Sequence, residues 1–379
     1  MQTFTFTPEL SEQVEAWGAL DFDQRPSGLS PRRLPDWTRP QLPQPMDVMA
    51  RMPSGVRLRF TTSSTRLRLD FLATNLVTPP KERRPIPFSL ETADGLHSVT
   101  STAGNHLLLN PTDPTDFKLV RGQPDQISFA LPDGETACEL WLPHNAFIEL
   151  RALHIDDGAT LHRSAPEKRP KWIHYGSSIS HCMEAEEPAL IWPAVAARQS
   201  GLSLQNLGFG GQCHLDQFIA RTIRDSDADL ITMKTGINII NMDSMRERIF
   251  LPALHGFLDT IREGKPDTPM LLISPIFCPS AEHHPGPTIP NKDGRFVTID
   301  GDPALRNGSL TLSRVRELIA GLVEQRRAAG DTQLHYLDGL KLFSEADAGD
   351  LPDDLHPNPA GYVRMGERCA PYLQTLLAG

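Results

Sequence analysis

From about residue 55 to 156 the apolar positions recur at every second residue. "VRLRFTTS", "TRLRLDFLA", "QISFALP", "ACELWLP" and "FIELRALHI" all alternate in this way, the mark of strands with one buried face. Turn signals such as "ADG", "PTDPTD", "GQPD" and "PDGE" separate them, as Gly, Pro and Asp clusters do between strands. Short strands without helices between them predict an antiparallel β-sandwich or jelly roll. Residues 1–54 are rich in proline and tryptophan and show no such period. They are expected to form an irregular arm packed across the rest.

The pattern changes after "RSAPEKRPK", 163–171, a basic, proline-containing linker. A domain comprising arm and sandwich is therefore expected over 1–165, and a second domain over 166–379. In the second, strand "WIHYG" leads to a helix near 187–200, and "LSLQNLG" leads to "HLDQFIARTIRD". Strand "ADLITMKTG" precedes a long helix near 243–263. Strand "PMLLISPIF" then runs into a long loop at 279–308, which is expected to shape a substrate site. Helix "LSRVRELIAGLVEQRRA", strand "LHYLDGL" and a helix from about 359 finish the chain. Alternating strands and helices predict an α/β domain with a five-stranded, flavodoxin-like parallel sheet and helices on both faces. Chemistry is then expected outside the carboxyl ends of the strands.

Composition narrows the partners. The 379 residues are 39% hydrophobic and 22% charged, ordinary globular values that suit two domains. A net charge of −10 disfavours nucleic acid and anionic membranes. No apolar run reaches the length of a membrane span. Five scattered cysteines without a C-x-x-C suit reduced thiols. The N-terminal "MQTFTFTPELSEQ" lacks a basic region followed by an apolar core, so no secretory signal is read and a cytoplasmic location is expected. The pairs His181-Cys182, Cys213-His214 and His283-His284 lack zinc-ligand spacing. No metal or organic cofactor is expected. The expected partners are a small-molecule ester and at most further copies of the chain, as a homo-oligomer.

Each strand of the second half ends in small polar residues: "GSSIS", "NLGFGGQ", "KTGINIIN" and finally "LPDDLHPNPAGY". On one rim these supply the parts for acyl transfer through a serine. Ser178 is a weak nucleophile that needs a base, and His356 is the candidate. Asp353, three residues earlier, would hold the imidazole in its working tautomer. Candidate donors to an oxyanion are the N–H of Ser178, the N–H of Gly211 and the side-chain amide of Asn238. Alternatives stand beside each: Ser178 as a helix cap, Asp354 for Asp353, Gly208 or Gly210 for Gly211, and Asn241 for Asn238. Ser177 and Ser180 are expected to fix the loop by local hydrogen bonds. Cys182, a helical turn beyond the strand end, is not expected to be the nucleophile.

In these blocks the chain resembles the SGNH hydrolase superfamily, the GDSL-type lipases and acylhydrolases. The first block, Gly-Asp-Ser-x-Ser, matches Gly176 to Ser180 and places the nucleophile at Ser178. Asn-x-x-x-x-Gly matches Asn206 to Gly211, Gly-x-Asn-Asp matches Gly236 to Asn238, and Asp-x-x-His matches Asp353 to His356. Ser177 and Ile239 stand where the family has aspartates outside its catalytic set. The resemblance covers about 170–379 and implies a serine ester hydrolase working through an acyl-enzyme, or an acyltransferase using the same residues. The two-domain layout resembles carbohydrate-esterase-like members, which implies small acyl groups on a carbohydrate or other polar alcohol. A lipid or thioester acylhydrolase is the alternative, and an inactive carbohydrate-binding protein a further one.

Overall fold

The computed structural model describes residues 1–7, 12–79, 82–110, 116–300 and 302–378. Residues 111–115 of the "PTDPTD" turn signal lie outside the described residues. The chain divides into two compact units, 1–167 with 186–189, and 168–185 with 190–379.

The first unit is built from two sheets. Six strands of the larger one run in the order Phe117–Val120, Asn105–Leu109, Arg66–Val77, Ala146–Ile155, Gly28–Arg32, Asp21–Arg25. Gln2–Thr5 also pairs with Ala146–Ile155, and Asp125–Ala130 with Arg66–Val77. The second sheet follows the order Leu161–His162, Arg57–Thr62, Thr136–Trp141, Ile86–Thr92, Gly95–Ser101, with Glu15–Trp17 on Arg57–Thr62. Pairing is antiparallel except between Arg66–Val77 and Asn105–Leu109. The predicted alternation is met in Arg66–Val77, where Leu67, Leu69, Phe71 and Ala73 are buried. They enclose one core with Leu58, Phe60, Phe88, Leu90 and Leu140 of the other sheet. Phe71 meets Phe88 across it, ring centroids 4.7 Å apart.

Two expectations are corrected here. The described residues of 1–54 are no irregular arm: they supply Gln2–Thr5, Glu15–Trp17, Asp21–Arg25 and Gly28–Arg32, besides a short helix at Gln44–Ala50. These strands are too short for their own period to show, and three find partners far along the chain, Phe4 opposite Leu153 for instance. Arg57 and Arg59 fall on the polar face of an alternating strand yet are buried. Each guanidinium is paired with Glu139 or Glu15, and Arg57 also lies 4.7 Å from the Trp141 ring centre. Burial of a charge is tolerated when it is paired in this way.

The second unit is the α/β domain. Strands β1 (Lys171–Gly176), β2 (Ser203–Gly208), β3 (Leu230–Lys234), β4 (Met270–Ile273) and β5 (Leu334–Leu337) form a parallel sheet in the order β2-β1-β3-β4-β5. This is the flavodoxin-like order expected. β3 and β4 are buried throughout and β1 nearly so, as strands covered by helices on both faces must be. The helices are α1 (Ser178–His181), α2 (Trp192–Ser200), α3 (Gln217–Asp225), α4 (Ile237–Asn241), α5 (Glu247–Gly264), α6 (Leu312–Ala328) and α7 (Pro359–Ala378). In α6 the hydroxyl of Thr311 caps the first turn, and Leu312, Val315, Ile319, Leu322 and Val323 form its buried stripe. α2 begins later than the expected 187, because Pro193 suits the first turn and a 3-10 turn, Pro188–Leu190, precedes it. The 279–308 loop holds a small antiparallel ribbon, Thr288–Pro290 with Phe296–Thr298.

Candidate active site

The site begins where β1 stops. Gly176 is level with Gly208 of β2 and with Lys234 of β3, so three strand ends share one line. β1 lies between β2 and β3, the crevice where parallel sheets of this order bind ligands. Phe209 donates its N–H to Gly176 O at 2.9 Å and ties the next loop to this edge. A Cβ at Gly176 would lie 2.2 Å from Ser180 Oγ, so only glycine lets α1 fold back this closely.

Ser177, not Ser178, caps α1: its side chain accepts from Ile179 N. Ser178 is thereby left as the first helical residue. Ser180 Oγ is 2.7 Å from His174 Nε2, and His174 Nδ1 is 2.6 Å from Thr232 Oγ1, which also accepts from Trp172 Nε1. Burial, with the nearby Lys234 charge, pushes the His174 imidazole down to about 3, so it is neutral in the fold. Asn206 Nδ2 donates to Ser180 O, while its Oδ1 accepts from Gly208 N. Trp192 Nε1 donates to Ile179 O. The helix carrying Ser178 is therefore held from several sides by buried polar side chains. Burial pushes the Cys182 thiol far up, and it donates to Ile179 O as a structural group.

Ser178 Oγ lies 2.9 Å from His356 Nε2, and His356 Nδ1 lies 2.8 Å from Asp353 Oδ2. The other oxygen of Asp353 accepts from the N–H groups of Leu355 and His356. Burial alone would raise the Asp353 carboxyl, but the hydrogen bonds and charge of His356 hold it below the usual carboxylate range. Asp354 faces elsewhere: both of its oxygens take the guanidinium of Arg295. The side chains of His356 and Asp353 are 12% and 16% exposed, so the chain of hydrogen bonds is shielded yet reachable.

Gly211 and Asn238 occupy the two neighbouring strand ends. Gly211 has φ +69, and a Cβ built on it meets nothing within 4 Å. That left-handed backbone favours glycine there. Asn238 Oδ1 accepts from Cys213 N at 3.0 Å, which leaves the amide nitrogen as the donating end. His214 joins Gly211 O to Ser244 Oγ through its two ring nitrogens, at 3.1 and 3.0 Å. The roles of His174 and Thr232 are not legible in the sequence, because single polar residues inside apolar segments carry no period, and His214 stands out there only beside Cys213. Polar residues on a doubly covered strand, as in "WIHYG", were the available signal.

Residues 169–281 match the model of the GDSL-like lipase/acylhydrolase family. Comparison with curated proteins finds no match. Among solved structures, a salicylyl-acyltransferase from a tetracycline biosynthetic pathway is 28% identical, over 99% of this chain and 97% of that one, with a TM-score of 0.80. A protein from Bacteroides ovatus, whose structure is described as that of a GDSL-like lipase, is 18% identical over 100% and 98%, TM-score 0.71. A family two carbohydrate esterase from Cellvibrio japonicus is 13% identical over 100% and 98%, TM-score 0.60. The likeness to the last two is one of fold. No helix among the described residues is long and apolar enough to cross a membrane.

Proposed function

We propose that this chain, whose residues 169–281 match the GDSL-like lipase/acylhydrolase family, is an esterase or acylhydrolase in which Ser178 is the nucleophile, His356 its base and Asp353 the orienting carboxylate. The observation that carries this reading is the unbroken hydrogen-bonded line Ser178–His356–Asp353 at the carboxyl end of β1. Ser178 Oγ attacks the ester carbonyl while His356 Nε2 takes its proton. Asp353, ionised, keeps the remaining N–H on Nδ1 and stabilises the imidazolium. The N–H groups of Ser178 and Gly211 and the amide of Asn238 receive the oxyanion. His356 then protonates the departing alcohol, and water releases the acid by the same steps in reverse order.

The substrates that suit this reading best are small acyl esters of a carbohydrate or similar polar alcohol. Support comes from the fold shared with family two carbohydrate esterases. A second reading, transfer of the acyl group to an alcohol other than water, is favoured by the full-length likeness to a salicylyl-acyltransferase. The difference lies in whether water reaches the acyl-enzyme. Five buried free thiols suit a reducing compartment, and the reading places the enzyme in the cytoplasm.

Hydrolysis of p-nitrophenyl esters of rising chain length, beside acetate release from acetylated sugars, tests the substrate class. Adding a polar alcohol separates acid from ester as product. Ser178→Ala should lower kcat roughly 10⁴-fold or more with an unchanged melting temperature. Full activity in that variant would remove Ser178 from the mechanism. A rate that peaks at long chains would move the substrate to lipids.

A further inference from the structure

Besides its hydrogen bonds to Ser178 and Asp353, the imidazole of His356 meets the Thr288–Pro290/Phe296–Thr298 ribbon. Phe296 sits edge-on to the imidazole, ring centres 5.6 Å apart at 74°. Its N–H donates to Asp353 O at 2.8 Å. The preceding residue, Arg295, forks onto Asp354, Nε to Oδ2 at 2.6 Å and Nη2 to Oδ1 at 2.7 Å. Asp354 itself is held in the left-handed region, φ +65, between the two triad residues, and its carbonyl accepts from Cys278 Sγ at 3.1 Å. The ribbon is in turn fastened at its far end, where Thr298 Oγ1 donates to Ser280 O. Its tip is closed by Asn291, whose side chain accepts from Asp293 N and Arg295 N.

We propose that Arg295 and Phe296 are positioning residues for this reaction: the ribbon helps hold the 353–356 segment and the imidazole of His356 in place beside Ser178, with the Arg295–Asp354 fork as its fastener. The inference rests on the reading of Ser178 and His356 as the working pair. Arg295 is 57% exposed, so the fork adds little to global stability. Its effect falls on the orientation of the 353–356 segment, because a displaced backbone there moves both Asp353 and His356.

The test uses Arg295→Gln, Asp354→Asn and the double variant, with kcat, KM and the rate at which a sulfonyl fluoride labels Ser178. Asparagine tolerates the left-handed conformation, so Asp354→Asn removes charge and leaves the turn. Each single variant should lower kcat and the labelling rate together by roughly three- to fivefold, as loss of an exposed ion pair allows. KM should stay within about twofold, and the double variant should be no slower than either single one. Phe296→Leu should lower the labelling rate as well. Labelling at the wild-type rate in both single variants, or losses that multiply in the double variant, would overturn the proposal. So would a change confined to KM, which would make the ribbon a substrate contact. A wild-type protein that is not labelled at Ser178 would instead defeat the reading of the site, and this inference with it.

Discussion

Asn238 shows how much a single side chain must do. Its Oδ1 is occupied by Cys213 N, so only its Nδ2 end is offered for donation. Asn238→Ala should therefore lower kcat by roughly 10²–10³ while KM changes little, because a donor aimed at developing charge acts on the transition state. Steady-state kinetics on a p-nitrophenyl ester read this directly. The same substitution also strips Cys213 N of its acceptor, so Asn238→Asp, which retains an acceptor, serves as control: kcat should stay low and the melting temperature should recover. Asp353 and Asp354 stand side by side in sequence and yet have different partners. Three-residue spacing favoured Asp353, and the structure brings that carboxylate, not its neighbour, to His356. The left-handed turn at Asp354 separates the two, and no sequence period announces such a turn.

At the scale of elements, β1 carries a neutral, buried histidine in a strand that is buried beyond its first residue. His174 is held at about 3 against an ordinary value of 6.5. Below pH 6.5 the unfolded chain takes up a proton that the folded one refuses, so stability is lost as pH falls toward 3. The slope due to this group should approach roughly 1.4 kcal/mol per pH unit below the upper limit. Denaturant unfolding at pH 7 and pH 5 should show it, and His174→Gln should flatten the slope even if it lowers stability at both values. An equal slope in the two proteins would mean that His174 is protonated in the fold. "WIHYG" read plainly as a strand from its aromatic and β-branched residues. That its histidine serves the following helix depends on Ser180 turning back over Gly176, a three-dimensional event.

The whole molecule has two units with different construction rules. In the first, the core is shared by two sheets, and Phe71 lies fully buried against Phe88. Phe71→Ala should cost about 3–5 kcal/mol in urea unfolding, through lost burial and the cavity left behind. A loss below about 1 kcal/mol would show that the two sheets close over the gap. In the second unit the three strand ends at Gly176, Gly208 and Lys234 fall level because parallel register aligns them. This is why blocks far apart in the chain meet: Ser178 and His356 are 178 residues apart.

Sequence alone determined the two periods, and with them the β-rich first half and the alternating strands and helices of the second. It also determined which residue types stand at the strand ends, because strand-end chemistry needs small and polar residues whatever the neighbours. Tertiary structure decided the rest. It wove Gln2–Thr5, Glu15–Trp17, Asp21–Arg25 and Gly28–Arg32 into the sheets, buried Arg57 and Arg59 as ion pairs, chose the serine that caps α1, and set the ribbon against His356. The physical reason is range: periodicity records which face of one element is buried. Hydrogen bonds, ion pairs and ring contacts between distant segments exist only once packing has brought them within about 3–6 Å.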